Sequence, residues 1–283
     1  MSLIEQNLVS AVQAGQKANV RIDTGGPTHA ALIIRYRSGL SVLASDATLK
    51  ADLTNIKVIR DGHEHWDLSA AELIMMNDYY GLPRSTGNLP IFFARPEMLA
   101  REEEDNLAFG TADVKSARVE ITLAGAAVNP DLQVFSVPIL GAPRSHGQML
   151  EVSSRPYPDI AAATSETYTN LVDGEQGRLL KSLHFNTAAI NNYKIEIRNR
   201  GAKATYTEGD LDLHNLDAEM KGHKTGGYVA QAGYTHIQFA GERQSNMLPT
   251  AVDEIRMTVA FNAAAAGLSV LREQVVGNPL AKA

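Results

Sequence analysis

Asn55-Ile56-Lys57-Val58, closed by Arg60 and the turn Asp61-Gly62, returns 137 residues later as Asn192-Tyr193-Lys194-Ile195, again followed by a basic residue and a glycine turn. Both runs alternate apolar and polar positions, as a half-buried strand does. Outward from this pair the correspondence continues in order. Leu68 to Gly81, an apolar helical stretch ending in glycine, parallels Leu211 to Gly222. Ile91-Phe92-Phe93-Ala94 parallels Ile237-Gln238-Phe239-Ala240 at an offset of 146, and Val119 to Ala124 lines up with Ile255 to Ala260 at an offset of 136. Four matches in one order, each at nearly the same spacing, read as a tandem duplication of one architecture. The joint falls near Pro138 to His146.

The rest of the chain has the same texture. Period-two segments occur at 18–23, 30–37, 55–60, 89–94, 117–123, 132–137, 180–186, 192–198, 234–240 and 254–261. Between them lie turn clusters such as Thr24-Gly25-Gly26-Pro27, Gly81-Leu82-Pro83, Gly141-Ala142-Pro143 and Thr225-Gly226-Gly227. Only 3–14, 68–79 and 210–221 read as helix, the second with Asp67 as its N-cap. Dense strands without alternating long helices exclude a parallel α/β fold. The expectation is all-β: a double jelly roll of two eight-stranded antiparallel sandwiches with a few short helices. Its divisions are an N-terminal arm at 1–18, a first jelly roll at 19–140, a second at 141–263 and a C-terminal tail at 264–283.

Composition narrows the function. Lys+Arg 26 against Asp+Glu 32, a net charge of −6, is the wrong sign for a protein that coats phosphates, so direct nucleic-acid binding is not expected. With no cysteine there is no disulfide framework, thiolate metal site or cysteine nucleophile. No apolar run reaches the ~18 residues of a spanning helix, and Met1 to Ala18 lacks the basic start and apolar stretch of a secretory signal. That segment sets Ile4, Leu8, Ala11 and Val12 on one helical face, which predicts burial against a barrel, a neighbouring subunit or a membrane surface.

No catalytic, cofactor-binding or metal residue is assigned. His63-Glu64-His65 places two imidazoles at i and i+2, but the next glutamate is Glu72 and the spacing is not that of a cupin. Asp210, Asp212, Asp217 and Glu219 are acidic without the alternation and glycine turn of a calcium loop. Arg101 to Asp105 reads as a solvated run, and Gly222 to Gly227 is not followed by the Lys-Ser/Thr of a phosphate loop. Arg35-Tyr36-Arg37 lies in a strand pattern and is too short for an RNA platform. No cofactor is expected, and structural calcium is not called for by any loop. The rival to a structural role is a jelly-roll carbohydrate-binding module or a metal-dependent cupin-like enzyme.

Ile34-Arg35-Tyr36 with Gly39, Asp61-Gly62, Phe92-Phe93-Ala94-Arg95-Pro96-Glu97-Met98 and Phe109-Gly110-Thr111 occur in an order that resembles the major capsid proteins of tailless, internal-membrane phages of the corticovirus type. The second half is similar in pattern, best over 254–261. The resemblance implies a double jelly roll with no enzymatic activity. It also implies homotrimeric capsomers of pseudo-hexagonal outline, six barrels to a trimer, that tile an icosahedral shell of a virion. Implied partners are the chain itself, other capsid or vertex proteins, and the inner membrane surface through the N-terminal arm.

Overall fold

In the computed structural model the described residues are 3–6, 9–10, 12–39, 42–98, 105–139, 141, 144–145, 147–171, 178–199, 202–210, 228–239, 247–250 and 252–277. The first half contains β1 (Ile4–Glu5), β2 (Lys17–Arg21), β3 (Thr28–Ser38), β4 (Val42–Leu43), α1 (Asp46–Asp52), β5 (Leu53–Arg60), β6 (His63–Leu68), α2 (Ala70–Tyr79), β7 (Asn88–Phe92), β8 (Phe109–Gly110), β9 (Ala117–Leu123) and β10 (Asp131–Ile139). The second half contains β11 (Met149–Pro156), β12 (Thr164–Tyr168), β13 (Arg178–Phe185), β14 (Ile190–Asn199), β15 (Ala202–Asp210), β16 (Thr235–Gln238), β17 (Leu248–Pro249), β18 (Glu254–Phe261) and β19 (Ser269–Val276).

The pairings repeat. In the first half β1-β10-β3 form one sheet, with β7 and β8 on the far edge of β3, and β2-β9-β5-β6 form the other. In the second half β11-β19-β13 carry β16 and β17 on the far edge of β13, and β12-β18-β14-β15 form the facing sheet. Each half is therefore a jelly roll, two antiparallel sheets closed face to face. The Asn55 and Asn192 runs are the counterpart strands β5 and β14, each flanked by the same neighbours.

The hairpin of β5 and β6 turns at Asp61 and Gly62, with φ of +46° and +86°. The first is reachable because the Asp61 carboxylate accepts the backbone N–H groups of Lys115 and Ser116 at 3.0 and 2.8 Å. Inward residues alternate along the strands, as Leu32, Ile34 and Tyr36 do on β3 and Val119 and Ile121 on β9, all with no exposure. The second barrel has its own core of Leu180, Leu183, Phe185, Ile195, Ile237, Val259 and neighbours.

Several expectations need correction. The described residues of 3–14 do not form a helix: Ile4–Glu5 pairs with Ser136 and Phe135 on β10, and Ser10 bridges to Asn19. The open edge of β10 supplies backbone partners that a short isolated helix lacks, so tertiary pairing overrides the 3.6-residue periodicity. Nor is 1–18 an arm outside the barrel, because β2 begins at Lys17 and Ala18 is fully buried. The helix expected at 68–79 starts at Ala70 with Ser69, not Asp67, as its cap, since Leu68 still belongs to β6. In the 210–221 stretch Asp210 ends β15 and the rest lies outside the described residues. The tail expected at 264–283 contains β19, which sits between β11 and β13 inside the largest sheet. Buried on both faces, that strand loses the alternation by which half-buried strands announce themselves.

Candidate functional site at the joint between the barrels

The barrels are joined by backbone. β6, the last strand of the first barrel's second sheet, pairs in parallel with β11, the first strand of the second barrel, through Trp66 opposite Val152 and Asp67 opposite Ser153. A nine-stranded sheet, with β17 beside β13, therefore runs through both barrels. Alternate residues of β19 face opposite ways: Val270 belongs to the second core, whereas Leu271 and Val275 pack into the first.

Helix α2 is held against this joint by its own cap. Ser69 and Glu72 form a capping box, in which the Ser69 hydroxyl accepts the Glu72 N–H and Glu72 Oε2 accepts the Ser69 N–H at 2.7 Å. The other Glu72 oxygen accepts a hydrogen bond from Ser154 on β11. The end of the helix delivers Tyr79 and Tyr80 to the outer face of β13, β16 and β19. Tyr79 stacks on His236 with 4.2 Å between ring centres.

Around Tyr80 lies a closed ionic cluster. Arg95 and Glu97 follow β7, Lys181 is on β13 and Glu273 on β19, and all four side chains have no exposure. Arg95 Nε donates to Glu97 Oε1 at 2.6 Å, and Lys181 Nζ lies 3.3 Å from Glu97 and 3.2 Å from Glu273. The Lys181 ammonium and the Arg95 guanidinium sit 3.6 and 4.6 Å from the centre of the Tyr80 ring. Two cations against two carboxylates make the cluster neutral, the condition under which burial is tolerable.

Glu273 is the hub. Its Oε1 accepts from the Tyr80 hydroxyl, from Ser182 Oγ at 2.6 Å and from His184 Nε2 at 2.9 Å, while Oε2 faces Lys181. Burial opposes its charge, yet Lys181, the His184 hydrogen bond and Arg95 hold the carboxyl well below its ordinary value. Burial also pulls Lys181 down to about 8, with Arg95 acting in the same sense and the two glutamates opposing. Burial pushes the Tyr80 phenol well up, helped by the Glu273 charge, so it stays protonated and donates.

The histidine tautomers follow from one backbone group. The Gln231 N–H can only donate, so His236 Nε2 accepts it, at 3.1 Å. Burial, then the neighbouring His184, hold His236 down to about 2, so the ring is neutral and its proton sits on Nδ1. That proton is donated across 2.7 Å to His184 Nδ1. Burial keeps His184 neutral too, against the pull of Glu273, so its own proton sits on Nε2 and is donated to Glu273. Ser182 lies beside His184 and Glu273, but His184 Nε2 carries a proton and cannot remove one from the hydroxyl. With no solvent access either, the arrangement fixes two barrels together and has no nucleophile to offer.

The residues singled out in the sequence lie elsewhere. A bulge between Val58 and Ile59 places His63 on the exposed end of β6 and buries His65, so the two imidazoles share no exposed face. Asp210 is the end of β15, while Asp212, Asp217, Glu219, Gly222 to Gly227 and the run from Arg101 to Glu104 lie outside the described residues. Arg35 and Arg37 point away from the first core, Arg35 over Phe135 and Arg37 to Asp131 at 3.0 Å. Lys181, His184, His236 and Glu273 belong to no sequence motif. Their signal is a lysine, two histidines and a glutamate set mid-strand among Leu179, Leu183, Phe185, Ile237 and Leu271, where a solvated strand would not keep so many apolar neighbours.

The viral coat protein P2 N-terminal domain matches residues 3–138 and the P2 C-terminal domain matches residues 151–276. No curated protein matches the chain in sequence. In structure it is similar to the major capsid protein P2 from bacteriophage PM2, with a TM-score of 0.81 and 15% identity over 98% of this chain and 97% of that one. It is also similar to a chain of Sulfolobus Turreted Icosahedral Virus, with a TM-score of 0.64 and 13% identity over 99% and 92%. A chain of the PBCV-1 virus capsid gives a TM-score of 0.63 and 11% identity over 97% and 94%. These likenesses place the fold among double jelly rolls, and the enzyme and carbohydrate-binding alternatives give way to the family. The chain belongs to the viral coat protein P2 family, a structural, non-enzymatic component of the virion capsid.

Proposed function

We propose that this coat protein assembles as a homotrimeric capsomer of pseudo-hexagonal outline, and that capsomers tile an icosahedral shell around an internal membrane. The observation that carries the reading is the repetition of one barrel twice in a chain of the P2 family, side by side in a continuous sheet. Three such chains bring six barrels around one axis, and closed three-fold symmetry then gives an outline with six similar sides. The backbone-paired joint supports this, because barrels that swung freely could not present fixed lateral faces. Partners are further copies of the chain and other capsid or vertex proteins. The N-terminal end, where Leu3 is 54% exposed, faces the inner membrane surface. The role draws on interfaces and needs no cofactor.

The test is the solution mass of the purified protein by light scattering, with electron microscopy of the same fraction. Three chains of 30.6 kDa give about 92 kDa and hexagonal particles. A stable monomer or dimer overturns the proposal.

A further inference from the structure

The outward residues of β2, β9 and β5 stand in rows across the second sheet of the first barrel. In one row Asn19 is opposite Glu120, and Glu120 is opposite Lys57; in the next Arg21 is opposite Arg118, and Arg118 is opposite Ile59. Acids and bases balance around the first row. Glu120 lies 3.0 Å from Lys17, and Lys57 holds Glu64 at 2.9 Å and Asp67 at 3.3 Å. The next row has no such balance. Two exposed arginines are set directly opposite each other, an arrangement that destabilises a strand pair. The other cross-strand neighbour of Arg118 is an isoleucine, and among the described residues Arg118 forms no ion pair.

This row lines a surface cleft of about 550 Å³, shared with Ser10, Asn19 and Ser116 and with no carboxylate in its lining. One wall is fixed by backbone, because Ser10 and Asn19 exchange both of their hydrogen bonds, at 3.0 and 3.2 Å. On the other side Asp61 accepts the Ser116 N–H at 2.8 Å, which positions that serine. Two guanidiniums and two hydroxyls thus border one cleft. Such donors suit a tetrahedral oxyanion, since the planar guanidinium fork matches the geometry of phosphate oxygens. The cleft also has a definite place in the fold. Ile4 is opposite Ser136, so Leu3 lies toward the Ile139 end of β10, which pairs with Thr28 at the start of β3. Only residues 22–27 separate Arg21 from Thr28. The arginine row and the N-terminal end therefore share one end of the first barrel.

We infer that this cleft is a site for a phosphate group, supplied by an anionic phospholipid headgroup at the inner face of the shell. The inference rests on the reading that the N-terminal end faces a membrane, and it names the residues that meet the lipid. Phosphate oxygens between the two guanidiniums turn a repulsive pair into a bridged one, which explains why like charges stand opposite on an exposed row. The chain's net charge of −6 opposes a nucleic-acid backbone as the occupant: a duplex approaches over a wide surface, whereas a headgroup fills one cleft.

The test is flotation of the full chain with vesicles of phosphatidylcholine, with and without phosphatidylglycerol. Arg21→Gln and Arg118→Gln each remove one charge from the cleft, while Lys17→Gln removes the same charge from the same face outside it. Circular dichroism checks folding, and the thermal midpoint of Arg118→Gln should equal or exceed the parent's because a repulsion is relieved. The parent and Lys17→Gln should float with the phosphatidylglycerol vesicles. Each arginine variant should bind about fivefold more weakly, and the double variant about thirtyfold. Inorganic phosphate should release the parent from the vesicles where chloride of equal ionic strength does not. If the parent floats and the arginine variants float equally well, or Lys17→Gln weakens binding as much as they do, the membrane reading stands and this site is overturned. If no vesicle carries the parent but phosphate raises its thermal midpoint through Arg118, the occupant is free phosphate, and the headgroup assignment falls with the membrane reading. A parent indifferent to vesicles and phosphate overturns both. Retention of a DNA duplex in the same buffer, lost with the arginines, overturns the lipid assignment and gives the cleft to nucleic acid.

Discussion

Tyr80, at the end of the helix that closes the first barrel, donates its hydroxyl proton to the carboxylate of Glu273 on the last strand of the second. The bond crosses 193 positions of sequence and ties the two repeats at one buried point. Around it a lysine, an arginine and two glutamates balance, so the joint is polar where most of the core around it is apolar.

That balance sets the cost of disturbing it. Tyr80→Phe removes one donor to a buried carboxylate and is expected to cost about 1–3 kcal/mol. Glu273→Leu leaves Lys181 and Arg95 facing Glu97 alone, and the uncompensated cation raises the cost to about 3–5 kcal/mol. Because both residues act through one carboxylate, the double variant should cost less than the sum of the singles. Urea unfolding at fixed protein concentration measures all three. Strict additivity would show that the hydroxyl and the carboxylate do not communicate.

The two-barrel plan was legible because half-buried strands carry their own pattern. Ala117–Leu123 and Glu254–Phe261 alternate inside and outside, and the period-two segments 117–123 and 254–261 coincide with them. The same physics hid β19 and the joint. Ser269–Val276 is covered on both faces, so Arg272, Glu273 and Gln274 stand where alternation predicts neither strand nor core. No local rule reports that a glutamate will meet a tyrosine from the other barrel. Arg95 and Glu97 belong to the stretch that resembles the capsid family, but their burial beside Lys181 is a property of the packed pair of barrels. At the N-terminus the apolar spacing fitted a helix, and the deciding fact, an open strand edge on β10, lies 130 residues away.

That edge makes its own prediction. Gln6 Nε2 donates to the buried Ser136 hydroxyl at 3.0 Å, and its Oε1 accepts the Asp23 N–H at 2.9 Å, so one side chain pins β1 to β10 and to the loop after β2. Gln6→Ala removes both and leaves Ser136 without this partner, at about 1–3 kcal/mol. Hydrogen exchange should quicken at the Asp23 and Gln6 amides and stay slow at the centres of β5 and β9. Equal acceleration throughout would mean that β1 is integral to the whole barrel rather than a separately opening edge.

The pH dependence follows from the signs at the joint. His184 and His236 are held neutral by burial, His236 down to about 2, whereas the unfolded rings titrate near 6.5. Below that value the unfolded chain binds more protons than the folded one, so stability falls as the solution is acidified, by about 1.4 kcal/mol per pH unit for each histidine. Glu273 acts in the same sense: its stabilisation is full above 4.5 and is lost as pH falls toward its lowered folded value. Lys181, at about 8 when folded against 10.5 unfolded, adds stability as pH rises through that interval. Tyr80 sets the upper limit, since above 10 the unfolded phenol ionises and the folded one does not. Thermal midpoints should therefore rise from acid toward pH 9 and turn down above 10. His236→Gln, neutral at every pH, should flatten the limb between pH 6.5 and 4.5 by about one histidine's share. A variant whose limb is as steep as the parent's would show that His236 does not stay neutral in the folded joint, and the tautomer chain from Gln231 through His236 and His184 to Glu273 would fall with it.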